Sequence, residues 1–461
     1  MSGLSVVILA AGKGTRMVSN RAKVLHTLRG RPMLRLIYDA ARGLEPDDVI
    51  VVVGQDADSV RKSLDGYPAR FVLQAEQLGT GHAAMAAADE LAGRSGDVVV
   101  LFGDTPRIRT DTLARLVAHH RSAGADLTLI TATMSESFPY GRIVRDGAGR
   151  IRAIVEEKDA TSQERSIREI NPGFYCFRIP ALLEALGRLD NNNAQREYYI
   201  TDLVEILTRS GRRVETLHHA DFQELRGINT REELAQLARA LGQEKNQALM
   251  AAGVTIVDPD HTYVDLDVVV EKDAILHPNV TLEGKTHIGE GSVIRSATRI
   301  ADSRIGPAVE ILDGCLITGS EVGRGSTVGP CARLRDHAVV GEGCRIGNFV
   351  EIKKSTLGDG TKAAHLAYLG DATIGRNVNI GAGTITCNYD GFRKNATIIE
   401  DNVFIGSDCQ LIAPVRVGQG AYVAAGSTIT EDVPAGALGI ARGRQENKEG
   451  WVSRRKPPGS R

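Results

Sequence analysis

The sequence predicts two domains: an α/β, doubly wound and mainly parallel sheet in front, and a parallel β-helix of hexapeptide repeats behind. Three observations carry this. A chain of 461 residues exceeds what one hydrophobic core ordinarily organises. Up to about residue 230, short apolar runs alternate with amphipathic helical stretches. From about Val254 onward an aliphatic residue recurs at every sixth position.

In the front half, Val6–Leu9, Val49–Val53, Val98–Phe102 and Leu127–Thr131 are β-branched or apolar runs of strand length. Helical stretches such as Met33–Arg42 and Gly81–Ala92 lie between them. Apolar strands separated by helices belong to a sheet covered on both faces, and ligands of such sheets bind at the carboxyl ends of strands. The first domain spans 1–230, and a helix over 231–252 follows it. Thr230-Arg-Glu-Glu233 fits a capping box, and Leu234, Leu237, Ala238 and Leu241 keep helical spacing. This helix reads either as a rigid arm between the domains or as the last helix of the first.

The second domain, 253–461, is counted rather than inferred. Val270, Leu276, Leu282, Ile288, Ile294 and Ile300 stand six apart; after a one-residue slip come Ile305, Ile311 and Ile317. A second slip leads to Val322, Val328, Leu334, Val340, Ile346 and Ile352, and the rhythm returns in Ile399, Ile405, Leu411, Val417, Val423 and Ile429. One aliphatic per side of a triangular coil stacks on its equivalents above and below, and the glycines that often follow, such as Gly289, Gly323 and Gly341, ease the corners. Spacing does not determine the hand of the coil.

Composition narrows the function. Aromatics are only 4% against 50 glycines, which suits small stacked units. The net charge of −1 gives no reason to expect a nucleic-acid or membrane partner. No apolar run approaches the roughly 18 residues of a membrane span. The opening MSGLSVVILAAGKG has no basic leader and runs straight into a glycine loop, so it reads as a buried strand and not a signal peptide. Cys176, Cys315, Cys331, Cys344, Cys387 and Cys409 show no CxxC spacing; free thiols in a reducing cytoplasm are expected, and structural zinc is not.

The first strand ends in Leu9-Ala10-Ala11-Gly12-Lys-Gly14-Thr15-Arg16-Met17, followed by Lys23-Val-Leu and Gly30-Arg-Pro-Met33. Glycines let the backbone approach a triphosphate, Arg16 offers a fork for phosphate, and Lys23 a second positive charge. Neither the Rossmann nor the P-loop spacing is present. With Gln74-Ala-Glu-Gln-Leu-Gly79-Thr80-Gly81-His82, Phe102-Gly103-Asp104, Tyr140-Gly141-Arg142-Ile143, Glu156-Glu-Lys158, Asn171 and Asn191-Asn-Asn-Ala-Gln195, these motifs resemble nucleoside-diphosphate-sugar pyrophosphorylases. More narrowly, the chain is similar to the bifunctional N-acetylglucosamine-1-phosphate uridyltransferase/glucosamine-1-phosphate acetyltransferase family.

The resemblance implies a nucleotidyltransferase-type sheet in front and a left-handed β-helix behind. It implies that Leu9, Ala10, Ala11, Gly12, Lys23, Phe102 and Gly103 bind the nucleotide, with Arg16 and Lys23 catalytic. Gln74, Gly79 and Thr80 match contacts to uracil and ribose, and Gly141, Glu156 and Asn171 match contacts to the N-acetylated sugar phosphate. Asp104 and Asn229 match the Mg²⁺ ligands. Alone, Asp104 would as readily cap a strand end; the motif around it assigns it to the metal. His82 is expected to support the site and not to act as a base. Two departures stand out: Arg107 in place of the usual aliphatic, and Arg196 in place of the usual glycine.

In the repeat region, chemistry is expected where polar residues interrupt the rhythm: Arg333–Arg335 with Glu351–Lys354, Lys362–Asp371, and Asn379–Lys394, the last of which must loop outward. Acetyl transfer to an amine needs a base of near-neutral pKa, for which histidine is the default, and a sugar phosphate needs cations. By resemblance His365 is the general base. Arg335, Lys353, Tyr368 and Asn379 bind glucosamine 1-phosphate, aided by Lys394. Asn388, Tyr389, Ala382, Ser407, Ala425 and Arg442 line the acetyl-CoA groove. Cys387 sits in the loop, but direct transfer requires no thiol. The basic tail Trp451…Arg454-Arg455-Lys456 is expected to be mobile.

The implied substrates are glucosamine 1-phosphate, acetyl-CoA, UTP and N-acetylglucosamine 1-phosphate. The implied setting is peptidoglycan precursor synthesis, and with it cell-wall biogenesis and cell shape, by a cytoplasmic homotrimer. The competing readings are a monofunctional pyrophosphorylase with a structural β-helix and a non-enzymatic scaffold. The first predicts an unbroken repeat without the His/Lys/Tyr set, the second a front domain lacking Lys23, Asp104 or Asn229.

Overall fold

The computed structural model describes residues 3–12, 14–134 and 139–455. It divides into two units, one up to Arg239 and one from Ala240 onward, with the division falling inside the helix Arg231–Ala251. The capping box forms as read. The Glu233 carboxylate accepts from the Thr230 N–H at 3.0 Å, and the Glu233 N–H donates to Thr230 Oγ1 at 3.2 Å.

In the first unit the strand Leu4–Leu9 pairs in parallel with Asp48–Val53 on one side and Asp97–Phe102 on the other, and Arg70–Leu73 extends the sheet. The runs are continuously apolar because both faces are covered. Val6 and Ile8 pack with Leu34 and Ile37 of the helix Met33–Arg42, while Val7 and Leu9 pack with Ala83 and Ala84 of the helix Thr80–Ala86. The stretch read as one helix from Gly81 to Ala92 is two, Thr80–Ala86 and Ala88–Leu91, parted at Ala87. Beyond Asp97–Phe102 the sheet turns largely antiparallel, through Tyr175–Arg178, Leu127–Thr133, Glu169–Asn171, Gly141–Arg145 and Ile151–Val155. Val214–His218 joins Leu127–Thr133 in parallel.

The second unit is a left-handed parallel β-helix whose coils contribute strands to three sheets of 11, 10 and 9 strands. Strand partners lie one coil apart: Ile275 faces Val293, which faces Glu310. In-register stacking sets like on like, so Leu282, Ile300, Ile317, Leu334, Ile352 and Leu369 form one column of fully buried side chains. Gly347 shows why some corners must be glycine: a Cβ there would come 1.6 Å from the Ala364 carbonyl oxygen.

The polar stretches do not all break the rhythm. Leu334, Ile352, Ala363 and Leu369 stay buried in register, so the first two supposed interruptions are regular coil with polar residues on its outer positions. Strand alternation puts those side chains outside without disturbing the core. In the third stretch Ile380 and Thr386 keep the rhythm, and only the residues after Cys387 leave it before Thr397–Ile399 resumes. Asp390 closes that loop by accepting from the N–H groups of Phe392 and Arg393, both at 2.8 Å.

Candidate active sites

At the carboxyl ends of Leu4–Leu9 and Asp97–Phe102 lies a cavity of about 520 Å³. It is lined by the predicted Leu9, Ala10, Ala11, Gly12, Arg16, Lys23, Gln74, Gly79, Thr80, Phe102, Asp104 and Asn229. Gly103 is buried behind this lining; a Cβ there would press on Val24 Cγ1 at 2.9 Å and the Leu9 carbonyl at 3.1 Å. Arg107 is not among the lining residues.

Three separate segments meet in one polar cluster. The Lys23 ammonium pairs with Asp104 Oδ2 and donates to Asn229 Oδ1 at 2.7 Å, and the Arg16 guanidinium donates to the same Oδ1 at 2.7 Å. Asn229 is fixed from behind: its N–H donates to Glu233 Oε2 at 2.6 Å, and the Ile228 N–H donates to the Asp104 carbonyl at 2.8 Å. A carboxylate and an amide oxygen, both hard donors suited to Mg²⁺, thus converge on one positive centre. The donor set fits the ion.

Gly141 and Asn171 on paired strands, and Glu156 just past the end of Ile151–Val155, gather next to this cavity's Phe102. Asn171 is the register partner of Gly141, and Gly173 packs on the Phe102 ring. A Cβ on Gly141 would meet Ile154 Cγ2 at 2.7 Å and Glu156 Oε1 at 3.5 Å. Thr201 Oγ1 donates to Glu156 Oε1 at 3.0 Å, and Asn171 Nδ2 donates to the Tyr175 hydroxyl at 2.6 Å. Burial pushes the Glu156 carboxyl up, and burial together with Glu156 pushes Asp202 up to about 6.

On the β-helix, His365 is exposed, and its Nδ1 lies 3.1 Å from Oδ1 of Asn348, its register partner one coil earlier. Donation from Nδ1–H to that oxygen leaves Nε2 bare. Asn379 lies in the same sheet, whereas Arg335, Lys353 and Tyr368 lie in the next. Arg335 Nε donates to Glu351 Oε1 at 2.7 Å. Lys353 and Lys354 approach Asp371 at 4.0 and 3.9 Å, and Asn388 Nδ2 donates to Asp371 at 2.5 Å. The Lys394 ammonium, beside that of Lys353, titrates below the usual lysine range. Tyr368 stands over Gly370, where a Cβ would be 2.5 Å from its hydroxyl.

Ala382, Ser407 and Ala425 follow one another up the coil. The Asp408 N–H donates to the Ala382 carbonyl at 2.7 Å, the Gly426 N–H to that of Ser407 at 2.8 Å, and Arg442 to that of Ala425 at 2.7 Å. Tyr389 is exposed, with its hydroxyl donating to the Gly391 carbonyl at 2.7 Å. All six cysteines are free, and burial pushes the Cys387 thiol up, which makes it a poor nucleophile. Arg455 lies over the Trp451 ring at 4.7 Å; Lys456 falls outside the described residues.

Residues 6–255 match the MobA-like NTP transferase domain, 260–346 the GMPPB C-terminal domain, and 396–431 the bacterial transferase hexapeptide of six repeats. Curated relatives named bifunctional protein GlmU are similar over the whole length. The relative from Pelobacter propionicus is 50% identical across 99% of both chains, that from Trichlorobacter lovleyi 48% across 99% of both. The relative from Geotalea uraniireducens is 47% identical across 99% of this chain and 100% of its own. The chain belongs to the bifunctional GlmU family.

As a GlmU-family protein it is a bifunctional enzyme, joining a nucleotidyltransferase to a hexapeptide-repeat acyltransferase in one chain. Among its described residues no helix is long and apolar enough to cross a membrane. Several residues of these sites escaped the sequence reading. Gln77 lines the cavity and donates to the Ala11 carbonyl at 2.5 Å, and Glu197 also lines it. Asn348 was legible only by counting 17 residues, one coil, back from His365. Glu233 was visible as a capping residue but not as the anchor of Asn229.

Proposed function

We propose that the β-helix acetylates glucosamine 1-phosphate with acetyl-CoA, and that the front unit joins the product to UTP, forming UDP-N-acetylglucosamine and pyrophosphate. The observation that carries the uridyl half is the meeting of Arg16 and Lys23 with Asp104 and Asn229 at the strand ends. In that reaction a sugar-phosphate oxygen attacks the α-phosphorus while pyrophosphate departs, and the protein positions and neutralises. The backbone at Gly12 and Gly14 gives the triphosphate close approach, and Arg16 and Lys23 follow the charge that moves to the leaving group. Asp104 and Asn229 would hold Mg²⁺, which when bound offsets phosphate charge. Gly141, Glu156 and Asn171 hold the N-acetylated sugar.

In the rear unit His365 Nε2 accepts the proton that the sugar amine releases as its lone pair attacks the thioester carbon. The C–S bond breaks, and the proton passes to the departing CoA thiolate. Arg335, Lys353 and Lys394 take the phosphate, Tyr368 and Asn379 the sugar and phosphate oxygens. The pantetheine runs along Ala382, Ser407 and Ala425 beside Asn388 and Tyr389, with Arg442 for a CoA phosphate. His365 stands exposed on the coil, and further copies of the chain in a homotrimer would cover it. The setting is the cytoplasm, in the supply of peptidoglycan precursors that sustain cell-wall growth and cell shape.

Two coupled assays on purified protein test this: CoA release with glucosamine 1-phosphate, and pyrophosphate release with UTP and N-acetylglucosamine 1-phosphate. Both products are expected. Pyrophosphate without CoA would leave a monofunctional pyrophosphorylase, and a monomer by light scattering would remove the trimer.

A further inference from the structure

Gln74 is almost fully buried and lines the front cavity beside Gly79 and Thr80. Its Nε2 lies 3.1 Å from the Gly79 carbonyl oxygen and 3.0 Å from His82 Nδ1. A backbone carbonyl only accepts, so the amide atom facing it must be the nitrogen. The second amide hydrogen then goes to His82 Nδ1, which requires that ring to be neutral with its proton on Nε2. Both donors of Gln74 are spent inside the wall, and Oε1 is the one polar atom of the amide left to meet a ligand.

The histidine doing this is held firmly. Its ring lies against that of Tyr198, centroids 6.1 Å apart. The turn before it is tied to the Tyr198 backbone on both sides: the Gly81 N–H donates to the Tyr198 carbonyl at 2.7 Å, and the Tyr198 N–H to that of Leu78 at 2.8 Å. Gly79 adopts φ +108°, and a Cβ there would come 2.5 Å from the Tyr198 carbonyl, so the approach is closed to any larger residue.

We infer that His82 is a positioning residue that sets the preference for uracil over cytosine by fixing which end of the Gln74 amide faces the base. This rests on the uridyl reading of the cavity. Uracil offers an N–H at N3, which an acceptor can take; cytosine offers a lone pair there, which an acceptor repels. With His82 in place, Gln74 can present only Oε1. Without it a single bond to the Gly79 carbonyl holds the orientation, and turning the N–H groups toward a cytosine ring costs one hydrogen bond where it had cost two. Sites built around a required hydrogen bond discriminate strongly because the wrong ligand leaves buried groups unpaired.

The experiment compares kcat/KM for UTP and CTP in wild type, His82→Leu and His82→Asn. Leucine removes the acceptor; asparagine restores an acceptor oxygen close to the position of Nδ1. The UTP-to-CTP ratio is expected to fall at least about tenfold in His82→Leu, from a higher KM for UTP and a lower one for CTP, and to stay within about threefold of wild type in His82→Asn. Should the leucine variant turn over too slowly, calorimetric affinities for UTP and CTP give the same ratio. An unchanged ratio in His82→Leu, or an equal collapse in both variants, would overturn the inference. A wild type that does not prefer UTP would instead overturn the uridyl reading. CoA release by the same preparations checks that the rest of the chain is intact.

Discussion

The two units solve the problem of building a site in opposite ways. The doubly wound sheet ends its strands in loops that curl over one another, so Arg16, Lys23, Asp104 and Asn229 meet in a walled cavity although they are scattered across the sequence. The β-helix has no such end to use: its interior is a solid aliphatic column, and His365, Tyr368 and Lys394 can stand only on its outside. Individual carboxylates show how burial and hydrogen-bond donors compete. In front, burial pushes Glu156 and Asp202 up. Behind, the exposed Asp390 and the half-buried Glu400 and Asp401 are pulled down by backbone N–H groups and by neighbouring arginines, Asp390 to about 2. Burial dominates where a carboxylate lacks a cation, as at Glu156 and Asp202, and donors dominate where N–H groups reach it, as at Asp390 or at Glu233 behind Asn229.

The sharpest way to break this comparison is to remove one group from each side. Asp104→Ala is expected to cut uridyl transfer by about 10² or more while acetyl transfer continues, since charge placement carries most of that reaction. His365→Ala should cost acetyl transfer about 10²–10⁴ and leave uridyl transfer intact. Mg²⁺ dependence should be confined to the front reaction. The two product assays described above check the crossed pattern; a variant that lost both activities would show that the sites are not independent.

A core deletion tests whether the aliphatic column is as repetitive in energy as in geometry. Ile317→Ala empties a fully buried position between Ile300 and Leu334 and should cost about 2–5 kcal/mol. In a stack each coil leans mainly on its neighbours, so amide exchange should quicken first in the coils holding Ile300 and Leu334. The strands around Leu4–Leu9 should keep their protection. Uniform loss of protection along the whole coil would mean that the stack melts as one body.

These contrasts also explain what could be read in advance. The β-helix was legible because in-register stacking demands the same residue class every sixth position, and every aliphatic counted that way is buried. What polar interruptions meant was misread: in a period-two strand, polar residues can sit outside without breaking the period. The antiparallel half of the first sheet was hidden because the pairing of Tyr175 with Val100 or Asn171 with Gly141 leaves no local mark. The phosphate loop was readable from its glycines, yet the meeting of Asn229 with Asp104 and Lys23 depends on a helix start reaching a strand end, a long-range contact that no local pattern marks.

The strained carboxylates of the closed site give a smaller, pH-dependent effect. Asp202 titrates near 6 in the folded chain and in the ordinary carboxylate range when unfolded. Between those values the folded state binds the extra proton, so this group's contribution falls as pH rises from about 4 through 6. Asp202→Asn should therefore melt at a higher temperature than wild type at pH 8, and the difference should shrink to nothing by pH 4. A difference that persisted at pH 4 would point to packing and not to charge.

The smallest effect comes from a departure seen first in the sequence. Arg196, where the sequence resemblance leads one to expect glycine, sits at φ +55°, in the left-handed region where a Cβ crowds the backbone. The Arg196 N–H donates to the Asn193 carbonyl at 3.1 Å, and the Glu197 N–H donates to Asn193 Oδ1 at 3.1 Å, so the loop holds its shape in spite of the cost. Arg196→Gly should relieve that crowding but free the unfolded chain, leaving a net gain of no more than about 1 kcal/mol by urea denaturation. If the variant instead lost stability, the arginine side chain would have to contribute more than its backbone costs. The closed site would then tolerate a left-handed arginine because the loop beside Glu197 needs it.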